Sequence, residues 1–279
     1  KTGHIKKSVA KTNEGFIFMK TKPSVLVLKA DGINCDEELA HAFNLAGGNV
    51  QTVHVNELRR RDKKLNDFQI LAIPGGFSYG DDIIAGKVLA VELTSFFSDQ
   101  LQKFVNRKNT LVIGICNGFQ VLVRTGLLPF GNVGVMSATL NDNLSGHFEC
   151  RWVDCKIENN TSCVFLQNLK NENVTYQVAH GEGMFYADAK TLDKIEKKNL
   201  VALRYIDDKG NQTMNYPANP NGALHAIAGI TDPTGRILGL MPHPERFVTE
   251  EQHPNWLRKP IKPQGLPIFQ NMISYAKEV

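Results

Sequence analysis

Apolar residues in the first half of the sequence form short, nearly continuous runs, separated by stretches with helical periodicity. Such runs are typical of strands that are buried on both faces of a sheet. They predict strands at residues 24–30, 50–55, 68–73 and 110–115. The helical periodicity predicts helices at residues 35–45, 93–105 and 118–125. Strands alternating with helices predict an α/β fold with a doubly wound, mostly parallel sheet and helices on both faces.

From residue 148 onwards the pattern changes to the two-residue alternation of a half-buried strand. Apolar and polar side chains alternate over residues 148–154. This alternation predicts a few antiparallel strands added to the main sheet. Two later strands are predicted at residues 223–230 and 236–241, and a final helix is predicted at residues 267–277.

The domain organisation follows from where these elements begin and end. We predict one structural unit, a single elaborated α/β domain, over residues 23–279. Residues 1–22 are predicted to be an N-terminal extension outside the fold, because their beginning is basic and polar. The extension lacks the apolar core and small-residue cleavage site of a secretory signal.

Composition and charge narrow the function class. The chain has 32 basic and 28 acidic residues, a net charge of only +4, and the charges are interspersed. This balance gives no reason to expect nucleic acid or a membrane surface as a partner. No apolar run approaches the ~18 residues of a membrane span. The five cysteines do not resemble a secreted disulfide framework, which predicts a reduced cytoplasmic protein.

The clearest chemical motif is Gly-Ile-Cys-Asn-Gly at residues 114–118, between a predicted buried strand and a helix. It matches the nucleophile elbow Gly-x-Nuc-x-Gly, with Cys116 as the nucleophile. The two glycines let neighbouring chains approach a residue on a sharp turn. The helix N-terminus favours the thiolate form of the cysteine. The alternative is that Cys116 is a small apolar residue at the end of a buried strand.

A catalytic cysteine needs a base, and His243 is the best candidate. It closes the predicted strand at residues 236–241, and Pro242 and Pro244 restrict its backbone on both sides. Ligand sites of doubly wound sheets lie at the carboxyl ends of strands, where Cys116 and His243 are both expected. Glu245 lies two residues further on and can orient the imidazole. The alternative is a loop histidine beside a solvated glutamate.

Acyl transfer also requires donors for an oxyanion. Gly75 and Gly76 follow a predicted strand and can direct backbone N–H groups into a cleft. With the N–H of Asn117, Gly76 would complete a two-donor oxyanion hole. A phosphate loop at residues 80–88 is rejected, because its glycine spacing is too long and it carries two carboxylates.

Metal binding is not predicted. Cys150 and Cys155 are separated by an odd number of residues, so along a strand they face opposite sides of the sheet. Neither belongs to a close Cys-x-x-Cys pair.

Five motifs in order resemble the class I (triad) glutamine amidotransferases, and more narrowly the glutaminase subunits of phosphoribosylformylglycinamidine synthase. They are Asn-Cys-Asp at 34–36, Gly-Gly-Phe-Ser-Tyr-Gly-Asp at 75–81, Cys-Asn-Gly-Phe-Gln at 116–120, Ala-His-Gly-Glu-Gly at 179–183 and Met-Pro-His-Pro-Glu-Arg at 241–246. The resemblance covers residues from about 23 to the end. Departures are the N-terminal extension, residues 30–32 and a proline-rich stretch near 250–265.

The resemblance implies a role for each site residue. Cys116 would attack the side-chain amide of glutamine, with His243 as the proton carrier and Glu245 as its orienting group. Gly76 and Asn117 would hold the oxyanion. The implied glutamine-binding residues are Gly75, Gln120, His180, Gly181 and Glu182.

The resemblance also implies partners. The ammonia would pass to a synthetase subunit that converts formylglycinamide ribonucleotide to formylglycinamidine ribonucleotide in de novo purine synthesis. ATP and magnesium would bind to that subunit, with no cofactor in this chain. Some such complexes also contain a small accessory subunit.

Other classes differ in specific residues. Another triad amidotransferase should lack the segments Phe-Ser-Tyr-Gly-Asp at 77–81 and His-Gly-Glu-Gly at 180–183. A cysteine hydrolase of the DJ-1 superfamily should lack His-x-Glu on a late strand. A non-catalytic subunit on the same scaffold should have lost Cys116 or His243.

Overall fold

The computed structural model describes residues 22–170 and 172–278. The predicted extension at residues 1–22 therefore lies outside the described residues, except for Lys22. None of the helices in the described ranges has both the length and the apolar character that crossing a membrane requires.

The centre of the protein is a nine-stranded sheet with the order β2-β1-β3-β4-β11-β10-β9-β6-β7. Its strands are β1 (Ser24–Lys29), β2 (Asn49–His54), β3 (Ile70–Ile73), β4 (Leu111–Ile115), β6 (Glu149–Ile157), β7 (Asn173–His180), β9 (Val201–Tyr205), β10 (Ile227–Thr231) and β11 (Ile237–Leu240). Two further strands, β5 (Thr139–Asp142) and β8 (Glu182–Tyr186), form a separate antiparallel pair.

The main sheet has a parallel part and an antiparallel part. Strands β2, β1, β3, β4 and β11 pair in parallel, whereas β11, β10, β9, β6 and β7 pair antiparallel. The α/β prediction with added antiparallel strands is confirmed, although the antiparallel part is larger than the sequence indicates. Strands β7, β8 and β9 and the short β5 were not predicted.

The helices are α1 (Asp36–Leu45), α2 (Val55–Arg60), α3 (Lys87–Phe96), α4 (Ser98–Asn106), α5 (Asn117–Arg124), α6 (Ala189–Lys197) and α7 (Leu266–Glu278). The prediction of one helix at 93–105 is wrong, because the chain breaks at Phe97 into α3 and α4. Leu93, Phe97, Leu101 and Phe104 are all buried. Since one apolar face continues across the break, periodicity alone cannot locate it.

The predicted strand at 223–230 also begins too early. Leu224–Ala226 form a 3-10 turn, in which His225 has a φ of 53°, and the strand starts only at Ile227. The apolar composition continues through this turn, so the sequence offers no sign of it.

Helix α5 packs against the parallel strands at an unusually close distance. It is buried from Asn117 to Val123. A Cβ atom on Gly118 would lie 2.0 Å from the carbonyl oxygen of Ile73 in β3. A Cβ atom on Gly114 would lie 2.4 Å from the carbonyl oxygen of Gly118. Glycine at both positions therefore lets the helix begin directly above the strand ends.

We predict that Gly118→Ala lowers the free energy of unfolding by about 1–3 kcal/mol, because the new methyl group overlaps backbone that cannot move aside easily. Alanine is more favourable than glycine inside a helix by roughly 1 kcal/mol, and this gain offsets only part of the steric cost. Thermal and urea denaturation measure the change. Gly181→Ala is the matched control, because the nearest atom to its added Cβ is 3.9 Å away. Equal stability of Gly118→Ala and the wild type would contradict the steric explanation.

Candidate active site

Cys116 occupies the turn between β4 and α5. Its backbone has φ 53° and ψ −107°, a conformation that residues with a side chain rarely adopt. The side chain is buried, and its sulfur lies 3.6 Å from the carbonyl oxygen of Ala179 at the end of β7. This sharp strand-to-helix turn has the geometry of a nucleophile elbow.

His243 reaches the same place through the neighbouring strand. Strand β11 pairs with β4 in parallel, and the N–H of Cys116 donates to the carbonyl oxygen of Leu240 (2.8 Å). The chain then continues to His243, whose N–H donates to the carbonyl oxygen of Gln177 in β7 (2.8 Å). The pairing of β4 with β11 therefore brings together the two residues that the sequence predicts to react as a pair.

Glu245 contacts the imidazole directly. Its Oε1 atom lies 2.5 Å from Nδ1 of His243, and both side chains are 1% exposed. The 3-10 turn Pro244–Phe247 carries Glu245 and so holds its carboxylate at the Nδ1 edge of the ring. Among the described residues, the other ring nitrogen, Nε2, is buried without a hydrogen-bond partner. The imidazole is thus oriented on one side and free to exchange a proton on the other.

The charge of His243 depends on these neighbours. Burial alone would lower the pKa of its imidazole, but the charges of Glu245 and Cys116, with the hydrogen bond to Glu245, outweigh burial and raise the pKa well above its ordinary value. The imidazole is therefore protonated near neutral pH. A protonated imidazole beside a thiol favours the thiolate, which is the nucleophilic form of cysteine.

The two glycines before this site have different roles in the structure. Gly76 has a φ of 130°, and a Cβ atom there would lie 2.7 Å from the backbone nitrogen of Asn34. Its N–H makes no backbone hydrogen bond within the described ranges. Asn117 is the first residue of α5, where the N–H has no acceptor in the helix. Both groups remain available as the predicted oxyanion donors.

Gly75 provides space. A Cβ atom on this residue would lie 2.9 Å from Cε1 of His243 and 3.4 Å from Cβ of Cys116. Gly75 does not line the cavity beside the thiol. The structure therefore places Gly75 against the side chains of His243 and Cys116, and its contact with glutamine stays a prediction.

The cavity beside Cys116 has a volume of about 120 Å³. Its lining includes four residues that the sequence predicts to bind glutamine, together with the proposed oxyanion donor. These are Gln120, His180, Gly181, Glu182 and Gly76. Phe77 and Phe148, whose rings stack at 6.3 Å, stand beside it.

Two of these lining residues hold the walls of the cavity. The side chain of Gln120 donates to the carbonyl oxygen of Glu182 (2.5 Å) and accepts from Nδ2 of Asn117 (3.0 Å). Nδ1 of His180 lies 3.1 Å from Oδ1 of Asn143, which also accepts from the N–H of Gly183 (3.0 Å). Burial, with the charge of His243, lowers the pKa of His180 to about 3, so its ring is neutral.

Some residues of the site were not predicted from the sequence. Asp81 lines the cavity and accepts a hydrogen bond from Asn117. Arg124 is buried beside Glu182. Asp81 lies at the end of a motif that carried the family resemblance, which is a signal that could have identified it. Arg124 gave no such signal, because its position in the last turn of α5 is ordinary for a basic residue.

Three residues near the site bring together side-chain atoms of the kinds that bind metal ions. Ligand atoms of Cys35, His243 and Glu245 lie within 4.8 Å of one another. The guanidinium of Arg246, however, lies 3.1 Å from the sulfur of Cys35. Its positive charge opposes a cation at this position, and the His243–Glu245 hydrogen bond already uses two of the ligand atoms.

Comparisons with known proteins agree with this geometry. A family profile for CobB/CobQ-like glutamine amidotransferase domains matches residues 22–276. The chain is 43% identical over 261 residues to the phosphoribosylformylglycinamidine synthase subunit PurQ of Dehalococcoides mccartyi, covering 93% of this chain and 100% of the relative. It is 42% identical over 273 residues to the subunit of the same name from Methanococcus maripaludis, covering 92% and 98%.

A solved structure gives the same result. The fold is similar to a chain in the structure of PurLQS from Thermotoga maritima, with a TM-score of 0.69 and 31% sequence identity. The match covers 91% of this chain and 99% of that chain. The chain thus belongs to the CobB/CobQ-like glutamine amidotransferase family and, within it, to the PurQ subunits of phosphoribosylformylglycinamidine synthase.

Proposed function

We propose that this chain hydrolyses glutamine to glutamate and ammonia as the glutaminase subunit of a phosphoribosylformylglycinamidine synthase. The observation that carries the proposal is the meeting of Cys116 with the His243–Glu245 pair at the ends of adjacent parallel strands. The high identity to PurQ subunits over nearly the whole chain favours this function over that of a cysteine hydrolase or a non-catalytic subunit.

The reaction would proceed in two steps. The Cys116 thiolate attacks the carboxamide carbon of glutamine, and the N–H groups of Gly76 and Asn117 stabilise the oxyanion. The C–N bond breaks as the imidazolium of His243 gives its proton to the departing nitrogen, which leaves as ammonia. The neutral imidazole then takes a proton from water, whose oxygen attacks the thioester. Glutamate leaves, and the thiolate and imidazolium are restored.

The ammonia would be used by a synthetase subunit, which converts formylglycinamide ribonucleotide to formylglycinamidine ribonucleotide in de novo purine synthesis. Direct transfer between subunits makes chemical sense, because ammonia released into water near neutral pH is protonated and loses its nucleophilicity. ATP and magnesium would bind to the synthetase, and a small accessory subunit would join the complex in organisms that have one.

We predict that Cys116→Ala reduces glutaminase turnover by about 10³-fold or more, because the variant lacks the thiol that forms the thioester. Glutamate release by the complex with the synthetase measures the loss. Cys150→Ala is the matched control, since this thiol is exposed and lies on β6. Turnover that survives in Cys116→Ala would exclude the mechanism.

We predict that Glu245→Gln shifts the alkaline limb of the kcat/KM profile to lower pH by about one to three units, with a lower kcat. The charge of Glu245 helps to keep His243 protonated, and the protonated form is lost as the pH rises through the pKa. Removing that charge lowers the pKa, so the loss begins at lower pH. Glu251→Gln, at an exposed position, should leave the profile unchanged. An unshifted limb in Glu245→Gln would show that this carboxylate does not set the charge of His243.

We predict that the purified chain alone releases little glutamate from glutamine, and that adding the synthetase subunit increases the rate several-fold. A glutaminase that works for an acceptor subunit would otherwise waste glutamine in its absence. Steady-state glutamate release at increasing synthetase concentration measures the effect. A rate that does not change would indicate an independent glutaminase.

A further inference from the structure

Two carboxylates face the cavity that contains the nucleophile. Asp81 and Glu182 both line this space of about 120 Å³, together with Cys116. They come from separate parts of the chain, the segment after β3 and the start of β8. Two acidic side chains in one small cavity call for compensating positive charge, because removing charges from water is costly unless they are paired.

Glu182 has its compensation inside the protein. Both of its carboxylate oxygens accept from the N–H of Ala85 (3.2 Å), and Oε2 lies 3.7 Å from Nη2 of Arg124. Arg124 is fixed in turn, because its Nε donates to the carbonyl oxygen of Ala85 (2.8 Å). The charge of Glu182 is thus matched, and its carboxylate is held against the cavity wall.

Asp81 has no such partner. No ion pair within residues 22–170 and 172–278 includes it. Its Oδ1 atom accepts from Nδ2 of Asn117 (3.2 Å), and Oδ1 of Asn117 accepts from the hydroxyl of Ser78 (2.7 Å). Asp81 is therefore anchored by neutral groups to the residue that follows the nucleophile, and its negative charge stays in excess.

The protonation state of Asp81 agrees with this environment. Burial is the main cause that raises the pKa of Asp81, and the charge of Glu182 raises it further. Hydrogen bonds from Gly86 and Asn117 and the charge of Arg124 lower the pKa. The resulting pKa is about 6. Near pH 7.5 the group is still ionised. Asp81 and Glu182 line the cavity, and Arg124 lies beside Glu182 without lining it, so these three groups leave one negative charge in excess. One cationic group of a ligand would neutralise that charge.

We propose that Asp81 binds the α-ammonium group of glutamine, so that a ligand must carry this group to bind tightly in the cavity. The inference rests on the proposed function and adds a specificity-determining residue to it. Glutamine carries one cation, four bonds from the carboxamide carbon that Cys116 would attack. The link from Asp81 through Asn117 fixes the carboxylate within the same cavity as the thiol. Glu182 is less suited to this role, since Arg124 already satisfies it.

The test compares two substrates in the complex with the synthetase. One is glutamine, and the other is glutaramate, which is glutamine without its α-amino group. For glutamine, Asp81→Asn should raise KM about 10- to 100-fold, the range for losing a hydrogen bond to a charged group, while kcat stays within about threefold. For glutaramate, the same variant should leave KM unchanged. Asp82→Asn, at the exposed neighbouring position, is the matched control and should behave as the wild type with both substrates.

The outcomes separate the inference from the function on which it rests. Wild-type protein that releases no glutamate from glutamine would refute the proposed function. Active wild type with an unchanged KM for glutamine in Asp81→Asn, or with equal losses for both substrates, would refute the role of Asp81. The wild type alone provides a second measurement that does not depend on the folding of a variant. If it binds glutaramate as tightly as glutamine, the inference is wrong.

Discussion

The contact between the first turn of α5 and the ends of β3 and β4 is the constraint on which the rest of the site depends. Gly114 and Gly118 leave no room for a Cβ atom at this contact, so the helix begins immediately after the strand. The connection is then so short that Cys116 must adopt a positive φ. The same geometry makes Asn117 the first residue of α5, where its N–H has no acceptor in the helix. The positions of Cys116 and of the Asn117 N–H, which we propose as nucleophile and oxyanion donor, therefore follow from one packing requirement.

The second half of the site depends on buried charge. Glu245 is 1% exposed, so its carboxylate contacts the imidazole of His243 and not water. The attraction between carboxylate and imidazolium is stronger in this medium of low polarity than at a surface. The turn that carries this pair is anchored from behind. Nε of Arg246 donates to Glu38 of α1 (3.1 Å), and its Nη2 reaches Cys35. Because removing one member of a buried pair leaves the other uncompensated, orientation and charge of His243 cannot be separated.

The sequence was most informative where structure is determined locally. The apolar runs identified the parallel strands, and the glycine spacing around Cys116 identified the elbow, because both depend on residues close together in the chain. It failed where one apolar face continues through a change of backbone, as at Phe97. It could not show that Gly75 packs against His243 and Cys116, because this contact joins segments that are distant in the chain. The sequence also could not predict that Glu182 forms an ion pair with Arg124 while Asp81 forms none among the described residues. These contacts arise only when segments that are distant in the chain come together.

Strand β7 contributes to two parts of the site although it lies at an edge of the sheet. It holds the backbone of His243 through Gln177, and its last residues form a wall of the cavity beside Cys116. It is also the outermost strand of the antiparallel part, farthest along the sheet from the parallel strands. The parallel strands alone would hold the turn that carries Cys116. Without β7, the backbone of His243 would lose its hydrogen bond to Gln177, and the cavity would lose one wall. The placement of His243 and the enclosure of the cavity therefore depend on a strand at the far edge of the sheet, as well as on the parallel strands that carry Cys116.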